Sequence, residues 1–269
     1  MTSTDVLFTG SIPAVYDRYL VPLLFDPYAR DLVQRLEGSA PSDILEIAAG
    51  TGVVTAYLAE TFPEARIVAT DLNQAMLDVA AERIRAPNVR FQTADAQALS
   101  FPDESFDAVL CQFGVMFFPD RVAAYREVRR VLRPGGSFLF NAWDKVDNNP
   151  GSDLLVQAVA GLFPDNPEAF FRRVPFGYHD VAWIEADLDD AGFETIEIET
   201  VEQNSHAACA REAAIGLCQG TPLRSEIEAH GGAEAIERAT DAAAAALAEL
   251  EGPGGFEAPM SAHVAKAVR

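Results

Sequence analysis

The chain has 269 residues, of which 49% are hydrophobic and 23% charged, and 41 acidic residues outnumber 20 basic ones for a formal net charge of −21. This composition predicts a folded α/β protein and excludes an intrinsically disordered chain. Two lysines, Lys145 and Lys266, are too few to build the basic surface that a nucleic-acid backbone requires. Nucleic acid is therefore excluded as a partner.

Residues 1–10 and the cysteines bear on cellular location. No basic stretch leads into an apolar run at residues 1–10, which favours a cytoplasmic location, and no apolar run is long enough for membrane insertion. Cys111, Cys209 and Cys218 are odd in number and widely spaced, which indicates reduced thiols. No spacing typical of metal ligands is visible, so we expect a site without metal.

From residue 12 onwards the predicted elements follow one another closely. Residues 12–37 are expected to form two short helices broken near Pro22 and Pro27. Buried strands then alternate with amphipathic helices, a pattern typical of βα units around a mostly parallel sheet. Strands are predicted at residues 43–47, 65–70, 89–93, 106–112, 137–143, 193–201 and 260–269. Helices are predicted at residues 51–62, 71–85 (capped by Asn73), 119–132, 151–163 and 180–191, with an aromatic-rich connection at 165–179 and an alanine-rich helical segment at 207–251.

The strongest functional signal is the turn after the first strand, with the sequence EIAAGTG at residues 46–52. Gly50 and Gly52 lack a Cβ, so a ligand can lie against the backbone at the carboxyl edge of the sheet. Asp71 follows Gly50 by 21 residues and ends the second strand, where a carboxylate can accept hydrogen bonds from ribose hydroxyls. The pair predicts a cofactor that contains a nucleoside.

Two classes of cofactor share this arrangement. A dinucleotide site favours the pattern Gly-x-Gly-x-x-Gly, and Thr55 occupies the position of its third glycine. Glu46 instead favours a ligand that carries a cation and no pyrophosphate. An NAD(P)-dependent oxidoreductase remains the alternative enzyme, and a catalytically silent binding module that keeps the nucleoside pocket is the alternative outside enzymes.

The chain resembles the class I S-adenosylmethionine-dependent methyltransferases, in the small-molecule branch similar to the ubiquinone and menaquinone biosynthesis enzymes. The resemblance rests on EIAAGTG (46–52), VATDLN (68–73), TADAQ (93–97), SFDAVLCQF (105–113) and EVRRVLRPGG (127–136). Ala48 departs from the glycine of the family pattern. The resemblance implies a single α/β domain over residues 1–269, with a Rossmann-like seven-stranded sheet, an N-terminal helical lid at 12–37 and a helical insertion before the last strand.

The same resemblance divides the chain and assigns its residues. Residues 40–143 are expected to form the cofactor-binding core for S-adenosyl-L-methionine. Glu46 and the turn would hold the methionine end of the cofactor, Asp71 the ribose, and the segment around Asp95 the adenine. An aromatic lid residue would favour the sulfonium charge. The cofactor-binding residues implied are Tyr16, Tyr19, Glu46, Ala48, Ala49, Gly50, Thr51, Gly52, Asp71, Leu72, Met76, Asp95, Ala96, Gln97, Gln112 and Phe113.

The implied reaction is methyl transfer to an O, N or C atom of a small organic acceptor by direct in-line displacement. Residues 144–180 and 203–255 would form the acceptor side. The aromatic residues Phe117, Phe118, Trp143, Phe170, Phe171, Phe176 and Tyr178 suggest an apolar or aromatic acceptor, although core packing is the alternative for them. His179 is the candidate general base, since an imidazole titrates near neutral pH. We expect a monomer or a homodimer.

Overall fold

The computed structural model describes residues 5–163 and 170–269, so the predicted connection at 165–179 lies partly outside the described residues. The strands are β1 (Asp43–Glu46), β2 (Arg66–Asp71), β3 (Val89–Thr93), β4 (Phe106–Cys111), β5 (Leu132–Trp143), β6 (Thr195–Ala207), β7 (Glu251–Gly252) and β8 (Gly255–Val268). They form one sheet in the order β3-β2-β1-β4-β5-β8-β6, and the two-residue β7 pairs with β8. Seven long strands and one short hairpin strand therefore make up the α/β fold expected from the sequence.

The order of the strands determines where a ligand can bind. Strands β1 to β5 pair in parallel, whereas β8 runs antiparallel to both β5 and β6. The chain moves outward from β1 through β2 to β3, then returns to β4 on the other side of β1. The order reverses between β1 and β4, so the connections that follow these two strands run in opposite directions. A crevice therefore opens at the carboxyl ends of β1 and β4.

Helices cover both faces of the sheet. The α-helices are α1 (Ile12–Val15), α2 (Asp26–Gln34), α3 (Val53–Thr61), α4 (Gln74–Arg83), α5 (Arg121–Val131), α6 (Pro150–Leu162), α7 (Phe170–Arg173), α8 (Val181–Ala191), α9 (Ala210–Gln219), α10 (Leu223–Ala229) and α11 (Gly232–Leu247). A π-helix at Tyr16–Phe25 joins α1 to α2, and 3₁₀ turns lie at Val115–Phe117, Val146–Asn148 and Ala248–Leu250. Helices α9 to α11 form the insertion between β6 and β8.

Aromatic side chains anchor the two helical layers to the sheet. On one face Tyr125 of α5 is fully buried, with its ring 5.5 Å from that of Phe138 and 5.6 Å from that of Phe140. On the other face Tyr28 of α2 meets the ring of Trp143 edge-on at 5.7 Å. Burying a side chain of this size contributes about 2 to 3 kcal/mol, so these contacts fix α2 and α5 against the strands that carry the crevice.

Three local predictions from the sequence need correction. The expected breaks near Pro22 and Pro27 are wrong, because residues 12–34 are helical throughout. Pro22 lies within the π-helix, whose wider turn relieves the clash between a proline ring and the carbonyl four residues earlier, and Pro27 lies in the first turn of α2, where a missing N–H costs little. Asn73 occupies the N-cap of α4, but its side chain makes no capping bond. Strands β6 and β8 are longer than predicted, because they pair along the whole of β6 and supply each other's backbone partners.

Candidate active site

The turn after β1 has an unusual backbone that places main-chain atoms at the crevice. Ala48, Gly50 and Gly52 all have positive φ angles, of 53°, 57° and 82°. A Cβ at Gly50 would lie 3.5 Å from Cε of Met76 and 3.7 Å from the Tyr16 hydroxyl, so a side chain there would fill the space above the turn. Glycine at this position keeps a cradle open for a ligand that approaches the backbone closely.

Ala48 adopts a left-handed conformation that favours glycine, and its methyl group is accommodated by a second glycine. A Cβ built on Gly114 would lie 2.5 Å from Cβ of Ala48 and 2.7 Å from Sγ of Cys111. The missing side chain of Gly114 therefore provides the space that the Ala48 methyl occupies. The departure from the family pattern noted in the sequence is matched by a complementary residue 66 positions away (114 − 48).

Asp71 projects a buried carboxylate into the crevice from the end of β2. The Gly50 N–H donates to its Oδ2 at 2.9 Å, and the Asn73 N–H donates to its Oδ1 at 2.8 Å. Burial raises the pKa of Asp71, and these backbone N–H groups offset part of that rise by stabilising the ionised form. Oδ2, which accepts only the Gly50 N–H among the bonds described, keeps accepting capacity for a further donor.

Glu46 lies beneath the turn and is 1% exposed. The hydroxyl of Thr55 donates a hydrogen bond to its carboxylate. Burial raises the pKa of Glu46 to about 8, with a further increase from the nearby Asp71 and a partial offset from Thr55. Thr55 thus serves as the partner of Glu46 at the position where a dinucleotide-binding turn has its third glycine.

The segment before α1 crosses the crevice and is held by Asn73. The side-chain oxygen of Asn73 accepts from the Phe8 N–H at 3.2 Å, and its amide nitrogen donates to the Val6 carbonyl at 3.1 Å. The same nitrogen lies 3.3 Å from Oδ1 of Asp71. Asn73 therefore connects the buried carboxylate to the segment that covers it.

The two lid tyrosines have different surroundings. Tyr16 stacks on Phe25 with ring centroids 5.0 Å apart and faces the crevice, where burial raises its pKa. Tyr19 is half-buried beneath the Arg18 guanidinium, 5.0 Å from its ring centroid, and its Cβ faces Gly216 of α9. Tyr16 belongs to the crevice, while Tyr19 packs the lid against the insertion.

The crevice encloses a cavity of about 260 Å³ at the carboxyl ends of the parallel strands. Eleven of the sixteen residues expected from the sequence line it: Tyr16, Ala48, Gly50, Asp71, Leu72, Met76, Asp95, Ala96, Gln97, Gln112 and Phe113. Five do not form part of its wall: Tyr19, Glu46, Ala49, Thr51 and Gly52. His179 is also outside the wall, and its ring Nδ1 lies 2.8 Å from the Phe176 carbonyl.

The half of the cavity away from Asp71 is aromatic. Phe113 and Trp143 stack with ring centroids 3.9 Å apart and an interplanar angle of 11°. Gln112 donates through its amide nitrogen to the Phe25 carbonyl at 2.8 Å, which leaves its Oε1 as an acceptor. Phe176 and Tyr178 do not line the cavity, since Phe176 packs against Phe171 and Tyr178 donates to Asp187 of α8. The other aromatic residues suggested by the sequence do line it: Phe117, Phe118, Trp143, Phe170 and Phe171.

Several lining residues were missed at the level of the sequence. Val6 and Phe8 lie in a segment without periodicity. Leu24 and Leu217 belong to helices whose orientation depends on tertiary packing, and Thr221 lies in the turn between α9 and α10. The position of Asn73 two residues after the strand-ending Asp71 was the available signal, because Asn at this spacing can reach both the carboxylate and a backbone segment that crosses above it.

The described part of the chain contains no helix long and apolar enough to span a bilayer. Within the same residues, no group of three or more His, Cys, Asp or Glu side chains is arranged to hold a metal ion.

Comparison with known proteins identifies the class. A methyltransferase domain model matches residues 44–136. The ubiquinone/menaquinone biosynthesis C-methyltransferase UbiE of Ectopseudomonas mendocina is 33% identical over 180 residues, which cover 60% of this chain and 69% of the relative. UbiE of Escherichia coli is 30% identical over 168 residues, which cover 57% of this chain and 67% of the relative.

Solved structures agree on the fold. Phosphoethanolamine N-methyltransferase 2 of Haemonchus contortus, in complex with S-adenosyl-L-methionine, has a TM-score of 0.64 at 18% identity and covers 100% of this chain and 60% of its own. The YcgJ protein of Bacillus subtilis has a TM-score of 0.58 at 21% identity, with coverage of 90% and 97%. The fold and the crevice define an α/β methyltransferase.

The chain belongs to the class I S-adenosylmethionine-dependent methyltransferases of the small-molecule type, and its cofactor is S-adenosyl-L-methionine. The residues present fit this cofactor, since the open cradle at Gly50 and the buried Asp71 suit a nucleoside laid against the backbone. The comparisons give no support to an NAD(P)-dependent oxidoreductase.

Proposed function

We propose that the protein methylates an O, N or C atom of a small, uncharged, apolar or aromatic acceptor. The observation that carries this proposal is the composition of the cavity. Among the described lining residues, the ionisable side chains are Tyr16, Asp71 and Asp95. Asp71 ends β2 and Asp95 follows β3, and both carboxylates lie in the half of the cavity that we assign to the cofactor and call the cofactor half. The other half, which we call the acceptor half, is built mainly from aromatic and aliphatic side chains. An anionic acceptor would lose its hydration there without gaining a cationic partner.

We assign the cofactor half to named residues. Asp71 holds the ribose hydroxyls, Glu46 and the turn at residues 48–52 support the methionine end, and Met76, Leu72 and Ala96 pack around the adenine. The sulfonium of the bound cofactor supplies an electrophilic methyl group, so the protein needs no covalent nucleophile. The chain's task is to hold the acceptor atom in line at about 3 Å and to exclude water.

The acceptor half offers two polar groups for orientation. Oε1 of Gln112 can accept from an acceptor hydroxyl or amine, because the amide nitrogen is already bonded to the lid. The Thr221 hydroxyl donates to the Leu217 carbonyl at 3.1 Å and keeps its lone pairs for a donor on the acceptor. The role of His179 as a general base stays a prediction. Its ring Nδ1 lies within hydrogen-bond distance of the Phe176 carbonyl, and the residue is outside the cavity wall.

Methyl transfer to defined probes tests the proposed acceptor class. Cofactor carrying a labelled methyl group is incubated with the protein and with 4-ethylphenol, 4-ethylaniline, catechol or phosphoethanolamine. We expect label on at least one aromatic probe and none on phosphoethanolamine. Label on phosphoethanolamine alone would contradict the proposed acceptor. Tight binding of S-adenosylhomocysteine with no transfer to any probe would favour the catalytically silent module.

We also propose a cytoplasmic location and a monomeric or homodimeric state. The thiols of Cys111, Cys209 and Cys218 are free, which suits a reducing compartment. Light scattering coupled to size exclusion measures the mass directly, and a particle larger than a dimer would contradict the proposed state. Fractionation of cells that produce the native chain checks the location.

A further inference from the structure

The acceptor half of the cavity is its closed end. Phe25, Trp143, Phe170 and Leu217 are each less than 9% exposed. Exposure increases at the opposite end, where Leu72 beside Asp71 is 57% exposed. Cofactor bound along Asp71 would cover the open end, so an acceptor would lie between the cofactor and the far wall.

Three side chains from three elements form that far wall. Leu24 comes from the π-helix, Trp143 from the end of β5 and Leu217 from α9, and each of them borders both the main cavity and a second void behind it. The second void measures only about 10 Å³, no more than a single water needs. We call Leu24, Trp143 and Leu217 the end wall.

Aromatic packing fixes the central member of the end wall. The Trp143 ring stacks on Phe113 at 3.9 Å, meets Tyr28 edge-on at 5.7 Å and lies 5.9 Å from Phe176. A ring with neighbours on several sides has little freedom to rotate away. Leu24 and Leu217 therefore determine whether the second void connects to the cavity.

The region behind the end wall is closely packed, and two polar side chains that border it are paired. A Cβ on Gly151 would lie 3.3 Å from Cζ of Phe256. The Ser205 hydroxyl donates to the Ala258 carbonyl at 2.9 Å, and the Asn149 amide nitrogen donates to the Lys145 carbonyl at 3.0 Å. Nothing in this arrangement prepares a path for a chain that extends beyond the wall.

We propose that the end wall limits the acceptor to a compact, ring-sized molecule without an extended apolar tail. This inference rests on the proposed function, because it takes the aromatic half of the cavity as the acceptor site. Leu24 and Leu217 are then the residues that determine acceptor length. Replacing either by alanine joins the second void to the cavity and admits a longer substituent.

A homologous series of 4-alkylphenols, from methyl to octyl, measures the depth of the site. Calorimetry is performed on the full chain saturated with S-adenosylhomocysteine. Each methylene that fits inside should raise affinity about fourfold. We expect this gain to stop, and affinity to fall, once the chain reaches the end wall. In Leu24→Ala and Leu217→Ala, affinity should continue to rise for one or two further carbons.

Leu23→Ala is the matched control, because Leu23 borders the second void but not the main cavity. It removes the same atoms from the adjacent position and leaves the end wall in place, so the length limit should not move. Thermal melting and affinity for S-adenosylhomocysteine confirm that each variant is folded. The wild-type length profile tests the inference even where a variant fails to fold.

The outcomes separate the inference from the proposed function. Failure of every alkylphenol to bind would overturn the proposed acceptor class and the inference with it. A wild-type affinity that rises through octyl would overturn the end wall alone. A limit unchanged in both wall variants, or moved equally by Leu23→Ala, would also overturn it.

Discussion

The two halves of the cavity are built from different kinds of chemistry. The cofactor half uses backbone: positive φ angles at Ala48 and Gly50, and backbone N–H groups that hold the Asp71 carboxylate in place. The acceptor half uses side chains, with Phe113 stacked on Trp143 and aliphatic residues from separate helices. A ligand in the first half is recognised by hydrogen bonds, and a ligand in the second half by shape. Substitutions should therefore affect the two halves independently.

The largest expected effect is the loss of cofactor affinity in Asp71→Ala, which acts on the cofactor half. Removing the carboxylate deletes the hydrogen bonds that we propose to the ribose hydroxyls and leaves the Gly50 and Asn73 N–H groups without their acceptor. Affinity for S-adenosylhomocysteine should fall about 100-fold, or roughly 3 kcal/mol. Asp71→Asn keeps one acceptor oxygen and should lose less. Calorimetry measures both, and unchanged affinity in Asp71→Ala would contradict the assignment of Asp71 to the ribose.

This contrast explains what could be predicted from the sequence. The turn at residues 46–52 and Asp71 are encoded locally, because glycine spacing and a strand-ending acid constrain the backbone directly. The succession of strands and helices along the chain followed from alternating apolar and amphipathic patterns, and the insertion before the last strand was implied by the resemblance to the methyltransferase family. These features are repeated along the chain and need no knowledge of distant contacts.

The acceptor half could not be predicted to the same depth. Leu24, Trp143 and Leu217 are separated by more than a hundred residues at one interval and over seventy at the other, and they meet only through tertiary packing. Phe176 lay in the same aromatic-rich stretch as Phe171, yet only Phe171 lines the cavity. Aromatic composition indicates a hydrophobic site or a core, and local patterns do not distinguish them.

Gly114→Ala tests the close approach of Gly114 to Ala48, two residues that both line the cavity. The new Cβ would lie 2.5 Å from that of Ala48, so the substitution should destabilise the fold by about 1 to 3 kcal/mol. Ala48→Gly removes the opposing methyl and should restore much of that loss in the double variant. Urea unfolding of the four proteins gives the coupling energy. Additive effects of the two substitutions would exclude a complementary pair.

Glu46→Gln tests the acid buried beneath the turn. With a pKa of about 8 in the folded state, above its ordinary value, Glu46 retains a proton that the unfolded chain releases. The free energy of unfolding should therefore fall by up to roughly 1.4 kcal/mol per pH unit between about pH 4.5 and pH 8. Glu46→Gln should flatten this slope, leaving the contribution of Asp71, whose pKa is also raised by burial. Equal slopes in the two proteins would contradict a protonated Glu46.

The smallest effect is expected from Asn73→Ala, which acts on the segment before α1 that crosses the crevice. The Asn73 amide bonds to the backbone of Val6 and Phe8, so its removal should cost about 1 kcal/mol and release the segment locally. Hydrogen exchange at the Phe8 amide should accelerate about fivefold, while exchange in β1 and β4 stays unchanged. Asn73→Asp retains the acceptor for the Phe8 N–H but loses the donor to Val6, and should protect Phe8 more than alanine does. Unchanged exchange in Asn73→Ala would show that the segment is held by its other contacts, such as the edge-on packing of the Phe8 ring against Tyr16 and Phe117.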